Sequence, residues 1–140
     1  MVVTWDSSEF DAKVRAAALR VVVQTTEAII EEGTRLIVSP PKTGRIYKRE
    51  NPDRVHQASA PGEAPAGDLG FLAGSATSSY PLDEGPDRII GIANWGADYA
   101  LDLELGTEKI APRPFALPAL DFCSPGFLAR MQAEMAIVGR

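Results

Sequence analysis

Apolar and polar positions near the start of the chain recur with a helical rather than a strand period. Phe10, Val14, Ala17, Val21 and Ala28 fall at heptad-like spacings, while Lys13, Arg15, Arg20, Glu27, Glu31 and Glu32 supply a polar side. Asp6, Ser7 and Ser8 offer capping side chains ahead of Glu9. No proline interrupts the run until Pro40 and Pro41, and Gly33 is its weak point. The pattern predicts a helix over residues 8–38 with one stripe packed on a sheet or on a neighbouring subunit. Its charges run against the helix macrodipole, bases early and acids late, which leaves the helix dependent on packing.

Both periods vanish over residues 39–70. The stretch "PPKTGRIYKRENPDRVHQASAPGEAPAGDLG" is rich in Pro, Gly, Ala and charge and reads as an extended arm or long loop. Lys42, Arg45, Lys48, Arg49 and Arg54 make it locally basic, although Glu50 and Asp53 interrupt the run. A solvated flexible loop, an arm that orders on a partner subunit and a DNA-contacting element all fit that composition. Next, "GFLAGSATSSYPL" and "DRIIGIANWG" read as two strands of a hairpin around "PLDEGP", with Ile90 and Ile92 on one face. In "DYALDLEL" the apolar residues alternate strictly while Ala and Leu favour helix, so a strand and a short helical turn both fit. Ser124 and Pro125 suit the N-cap and first turn of a C-terminal helix that carries Leu128, Met131, Met135 and Val138 at helical spacing. The elements sum to a single α+β domain over residues 1–140: a long N-terminal helix on a small, mainly antiparallel sheet, an extended central arm, then sheet and C-terminal helix over residues 71–140.

With 140 residues, 45% of them hydrophobic, one core is sustainable. A net charge of -5 argues against a surface built to neutralise phosphates. The single cysteine, Cys123, excludes an intrachain disulfide, and folding in a reducing cytosol is expected. Between Phe122 and Phe127 it reads as a buried structural thiol rather than a nucleophile. There is no leader-like N-terminus and no membrane-length apolar run, so a soluble, unprocessed protein is expected. The only histidine, His56, lies in the arm without a nucleophile signature, no phosphate-binding loop is present, and no metal or cofactor is expected.

The chemically suggestive stretch is "YALDLELGTEKIAPRPF". On a strand, Asp102 and Glu104 would share a face, and paired carboxylates of unequal environment divide acid and base roles, as in a small hydrolase. The simpler reading is a structural joint. Gly106 and Thr107 make a turn, Pro112 and Pro114 stiffen the return, Glu104 pairs with Arg113, and Phe115 and Leu117 enter the core or the next subunit.

Three ordered blocks carry a resemblance. They are "SPPKTGRIYKR", "HQASAPGEAPAGDLGFLAGS" and "YALDLELGTEKIAPRPFALPAL", together covering roughly residues 36–120. In this order they resemble the small neck or tail-completion proteins of tailed bacteriophages, often described as phage tail components or head-tail joining proteins. Tyr99, Glu104, Gly106, Thr107, Arg113, Pro114, Phe115, Pro118, Ala119 and Leu120 carry most of the likeness, whereas Leu69 departs from the threonine usual between Asp68 and Gly70. The resemblance implies a non-enzymatic virion protein, made in the host cytoplasm and placed at the head-tail junction or the top of the tail. It further implies a closed ring of copies, six-fold before twelve-fold, that meets a head-side connector and tail proteins and lets DNA pass without specific binding. A tail terminator or minor tail protein is the neighbouring reading. An acidic ring suits a conduit because like charge keeps its wall from gripping phosphates.

Overall fold

The computed structural model describes residues 7–39, 42–50, 53–83 and 88–139. Helix α1 spans Ser8–Val38. Strands β1 (Ile46–Glu50) and β2 (Asp53–Gln57) follow, then a single helical turn α2 (Phe71–Gly74), strands β3 (Ala76–Asp83) and β4 (Ile89–Trp95), a short helix α3 (Ala100–Leu105) and helix α4 (Ala116–Val138). The fold is α+β, with two separate two-stranded antiparallel sheets, β1-β2 and β3-β4.

Ser7 takes the N-cap position of α1, yet its hydroxyl donates to Asp11 Oδ2 (2.7 Å) instead of accepting a backbone N–H; the proposed cap Asp6 lies outside the described residues. The opposing charge run is confined to the interior of the helix. Glu9 and Asp11 sit in the first turn and Arg35 in the last, where the macrodipole favours them. The last-turn carbonyls are satisfied one by one. Arg35 O accepts from Ser39 N (2.8 Å), Leu36 O from Lys42 Nζ (2.8 Å) and Ile37 O from Gly67 N (3.1 Å). Pro40 and Pro41 lie outside the described residues.

α1 packs against both α4 and the β3-β4 sheet. α1 and α4 run antiparallel, as the ties Arg20–Glu134 (2.6 Å) and Arg130 Nη2 to Thr25 Oγ1 (3.1 Å) require. Their buried residues are small, Ala17 and Val21 on one side, Ala119 and Cys123 on the other. Of the stripe read from the sequence, Ala17 and Val21 are buried, whereas Phe10 is half exposed. Thr25 and Thr26 extend the stripe, since each returns its hydroxyl to the carbonyl four residues earlier and so enters the core without an unmet donor. Burial of Cys123 pushes its thiol up, with Glu32 acting in the same direction; it is a structural thiol.

The second part of the core is Ile37, Leu72, Trp95, Ala100 and Phe115. Trp95 meets Phe115 edge to face, with ring centroids 5.2 Å apart at 86°. Gly33 is where this ring fits. A Cβ there would lie 2.6 Å from Trp95 Cη2, so the weak point of the helix is the notch that admits the indole.

Two elements differ from the sequence reading, and one that fitted both strand and helix is settled. The arm contains an antiparallel hairpin, β1-β2, in register from Ile46↔Gln57 to Glu50↔Asp53. "DYALDLEL" forms helix α3. The C-terminal helix starts at Ala116, eight residues before Ser124, and Pro125 lies inside it. Ser-Pro imitates a helix start, but here Ser124 Oγ donates back to Leu120 O (2.7 Å), serving a carbonyl in the turn that the proline disturbs.

Gly33→Ala tests the notch. Alanine returns about 1 kcal/mol of helix propensity, whereas overpacking a filled site costs about 1–3 kcal/mol. A lower urea midpoint is expected; a raised midpoint would show that the indole does not need the notch.

Candidate functional site

The three blocks singled out in the sequence converge where the base of the hairpin meets the segment between α3 and α4. At the hairpin base Gly44 N donates to Ala58 O and Ala58 N to Arg45 O, both at 3.0 Å. Gly44 is required by proximity, because a Cβ would lie 2.6 Å from the Ala58 and Ser59 carbonyl oxygens. Glu63 closes the base like a buckle. Its Oε1 accepts from Thr43 Oγ1 (2.5 Å), and its Oε2 accepts from Thr43 N (3.0 Å) and Ala60 N (2.8 Å). These bonds hold its carboxyl down at about 2.

The joint is built around Gly106, whose φ of 76° is a left-handed value open to glycine and whose Cβ would strike Pro112. Thr107 and Ile110 exchange backbone bonds, and Thr107 Oγ1 accepts from Lys109 N and Ile110 N (3.2 and 3.1 Å). Arg113 N donates to Leu103 O (2.7 Å), which returns the chain to α3. Three hydrogen bonds then join joint and arm: Gly62 N to Pro112 O (2.9 Å), and two from the Arg113 guanidinium, through Nε and Nη2, to the carbonyl of buried Ser59 (3.3 Å each).

Glu104 therefore does not pair with Arg113 within the chain. Its Oε2 accepts from Phe115 N (2.8 Å) and Ala116 N (3.0 Å), and its Oε1 from Leu117 N (2.9 Å). These are N–H groups left open at the start of α4, whose N-cap residue Phe115 has no side chain able to cap them. Phe115 is buried and Leu117 is exposed, so only the first enters the core. Nor do Asp102 and Glu104 share a face. Two residues apart on a helix they point to different sides: Asp102 is exposed and Glu104 is engaged by backbone. A cleft of about 550 Å³ between Val14, Val22, Ile89, Phe127 and Met131 does not include this pair. Among the described residues no three His, Cys, Asp or Glu side chains converge.

The basic arm residues separate into inward and outward groups. Lys42 serves the end of α1, and partial burial lowers its pKa while Glu63 opposes the shift. Arg54 pairs with Asp68, and His56 Nδ1 approaches the same carboxylate at 3.6 Å, so β2 is tied to the loop before α2. Arg45 is exposed and stands over the Tyr47 ring, 5.4 Å from its centroid. Lys48 is exposed and only loosely near Asp53 (3.9 Å). Arg49 pairs with Arg54 in the strand register; its side chain lies outside the described residues. Sequence reasoning missed Glu63 and Asp68, whose partners are distant in the chain or irregular in spacing and so leave no periodic signal.

No protein-family model matches the chain, and no curated protein and no solved structure is similar to it. No helix among the described residues is long and apolar enough to cross a membrane.

Two outcomes are expected from this geometry. Glu104→Ala removes a three-bond cap and lowers stability by about 2 kcal/mol, and Arg113→Ala costs about 1 kcal/mol. Because the two side chains share no partner, the double mutant should be additive within about 0.5 kcal/mol in urea unfolding; a larger coupling would reinstate an ion pair. Glu63 supplies the pH test. Its folded pKa is depressed, so its stabilisation is present above the ordinary value of 4.5 and is lost as pH falls through about 2. The amide resonances of Thr43 and Ala60 should titrate with a midpoint near 2; a midpoint at the ordinary carboxylate value would rule out the buckle.

Proposed function

We propose that the protein is a virion structural subunit that assembles with copies of itself into a ring at the neck or tail-completion position of a tailed phage. The observation that carries this reading is the solvent side of α4. Its exposed residues are Leu117, Leu120, Asp121, Phe122, Ser124, Pro125, Leu128, Ala129, Gln132, Ala133, Ala136 and Ile137, and Asp121 alone among them is charged. A helix of 23 residues runs roughly 34 Å. An almost uncharged face of that length, with Phe122 72% and Leu128 63% exposed, is the face of a subunit that is buried on assembly rather than of a solitary globule.

The hairpin points the same way. It makes little contact with the other helices and strands and leaves Ile46, Tyr47 and Val55 in solvent. Two-stranded units of this kind are marginal unless something covers them. The acidic balance suits a wall along which DNA slides. A paired-carboxylate hydrolase has less support, because both Glu104 oxygens are taken by the α4 backbone.

Light scattering and negative-stain imaging should show a ring for the wild type. Phe122→Asp with Leu128→Asp should keep the helical circular dichroism of the wild type, as exposed substitutions do, while reducing the particle to monomer and removing the concentration dependence of its thermal midpoint. Labelling of virions should then place the protein at the head-tail junction. A charged α4 face that assembles as before would overturn the interface, and a label elsewhere would overturn the location.

A further inference from the structure

Two other surfaces of the chain are unmatched within it and complementary to each other. The first is on the hairpin. Arg45 and Tyr47 lie on one side of β1, both exposed, with the guanidinium stacked over the phenol ring. Arg45 makes no ion pair among the described residues, and the other cation of that side with a described side chain, Arg54, is consumed by Asp68. The second surface is α3 and the turn after it. Leu101 and Leu105, one helical turn apart, are 66% and 61% exposed. Asp102 and Glu108 flank them, exposed, and among the described residues neither makes a side-chain hydrogen bond or ion pair.

We infer that the Arg45–Tyr47 side of the hairpin docks on the Leu101–Leu105 face of α3 in a second copy of the chain, with Arg45 placed between Asp102 and Glu108. This rests on the ring reading above and names one of its joints. Tyr and Arg are the residue types that anchor interfaces, one by area and the other by planar, charge-assisted bonds. The surface they meet offers what each needs, apolar side chains for the ring and unpaired carboxylates for the guanidinium. Each copy gives a hairpin and receives one; passed head-to-tail from copy to copy, as the ring reading requires, the contact closes a ring, whereas a reciprocal exchange between two copies would close a dimer. Lys48 projects from the opposite side of β1 and stays outside the contact.

Charge reversal tests this, because all the residues changed are exposed and the fold of each variant is verifiable by circular dichroism. Arg45→Glu, and separately Asp102→Lys with Glu108→Lys, should each weaken assembly in sedimentation by about tenfold or more, whereas Lys48→Glu should change it little. Combining Arg45→Glu with Asp102→Lys and Glu108→Lys in one chain should restore the ring. So should mixing the two singly reversed proteins, which can alternate around it. Val55→Cys and Leu101→Cys serve as a distance check, since mixed under oxidation they should cross-link no better than chance pairs, Val55 being on the far side with Lys48; Tyr47→Cys with Leu101→Cys should cross-link readily. A wild type that assembles but ignores both reversals overturns this joint and leaves the ring standing. A wild type monomeric at every concentration overturns the ring and the joint with it. If Arg45→Glu abolishes duplex DNA binding and leaves assembly intact, the hairpin is a nucleic-acid element and the joint is wrong.

Discussion

The indole of Trp95 is the contact on which the rest of the structure depends. It ends β4, lies in the Gly33 notch of α1 and takes the edge of Phe115 at the start of α4, and it shares a core with Ala100 of α3. Four elements are thereby fixed around one ring. Aromatic side chains suit such a junction, because one residue buries a large area with few rotamers to lose. Ile37 and Leu72 complete that cluster, and between α1 and α4 the interior is made of small residues. Ala17, Val21, Ala119 and Cys123 let α1 and α4 approach closely, but they contribute little area each, so they could not replace the indole.

Two carboxylates carry out the work that regular secondary structure leaves open. Glu104 serves the first turn of α4 from a different helix, across eleven to thirteen residues of chain, and Glu63 closes the hairpin base across twenty. Each gathers three donors, two or three of them backbone N–H groups whose desolvation would otherwise be costly. Glu63 would serve acid-base chemistry poorly in this setting, since the bonds from Thr43 and Ala60 hold its carboxyl at about 2, and a carboxylate so held is a weak proton acceptor near neutrality.

What was legible in the sequence follows from how local each cause is. The span of α1 was readable because its stripe, from Phe10 to Ala28, repeats over about five turns and its breakers are prolines. The hairpin was not, since β1 reads Ile-Tyr-Lys-Arg-Glu and both its faces are largely exposed, so no alternation of apolar and polar residues could reveal it. The start of α4 was misplaced for a related reason. Its cap comes from Glu104 rather than from the preceding residue, and Ser124-Pro125 displays the local signature of a start that is not used. Gly106 and Phe115 were placed correctly because a left-handed turn and a buried aromatic are needs that a single residue type announces. The partner of Arg113 was not, because the backbone carbonyl of Ser59 has no letter of its own in the sequence.

The division of surface and core in this chain bears on the proposed assembly. Its core is one aromatic pair with Ile37, Leu72 and small aliphatic neighbours, while seventeen large apolar side chains among the described residues are exposed. Scattered exposed leucines are ordinary, but along α4 they form one continuous, almost uncharged face, and on the hairpin they sit on an element with little else beneath it. If copies cover those surfaces, the stability of the fold and of the assembly become one quantity, set by concentration as well as by sequence. The internal hydrogen bonds then have a clear role. Arg113, Glu63 and Glu104 add little apolar burial, but they set the angle between hairpin, joint and α4, and in a closed ring a small error in that angle accumulates at every copy until the ring fails to close.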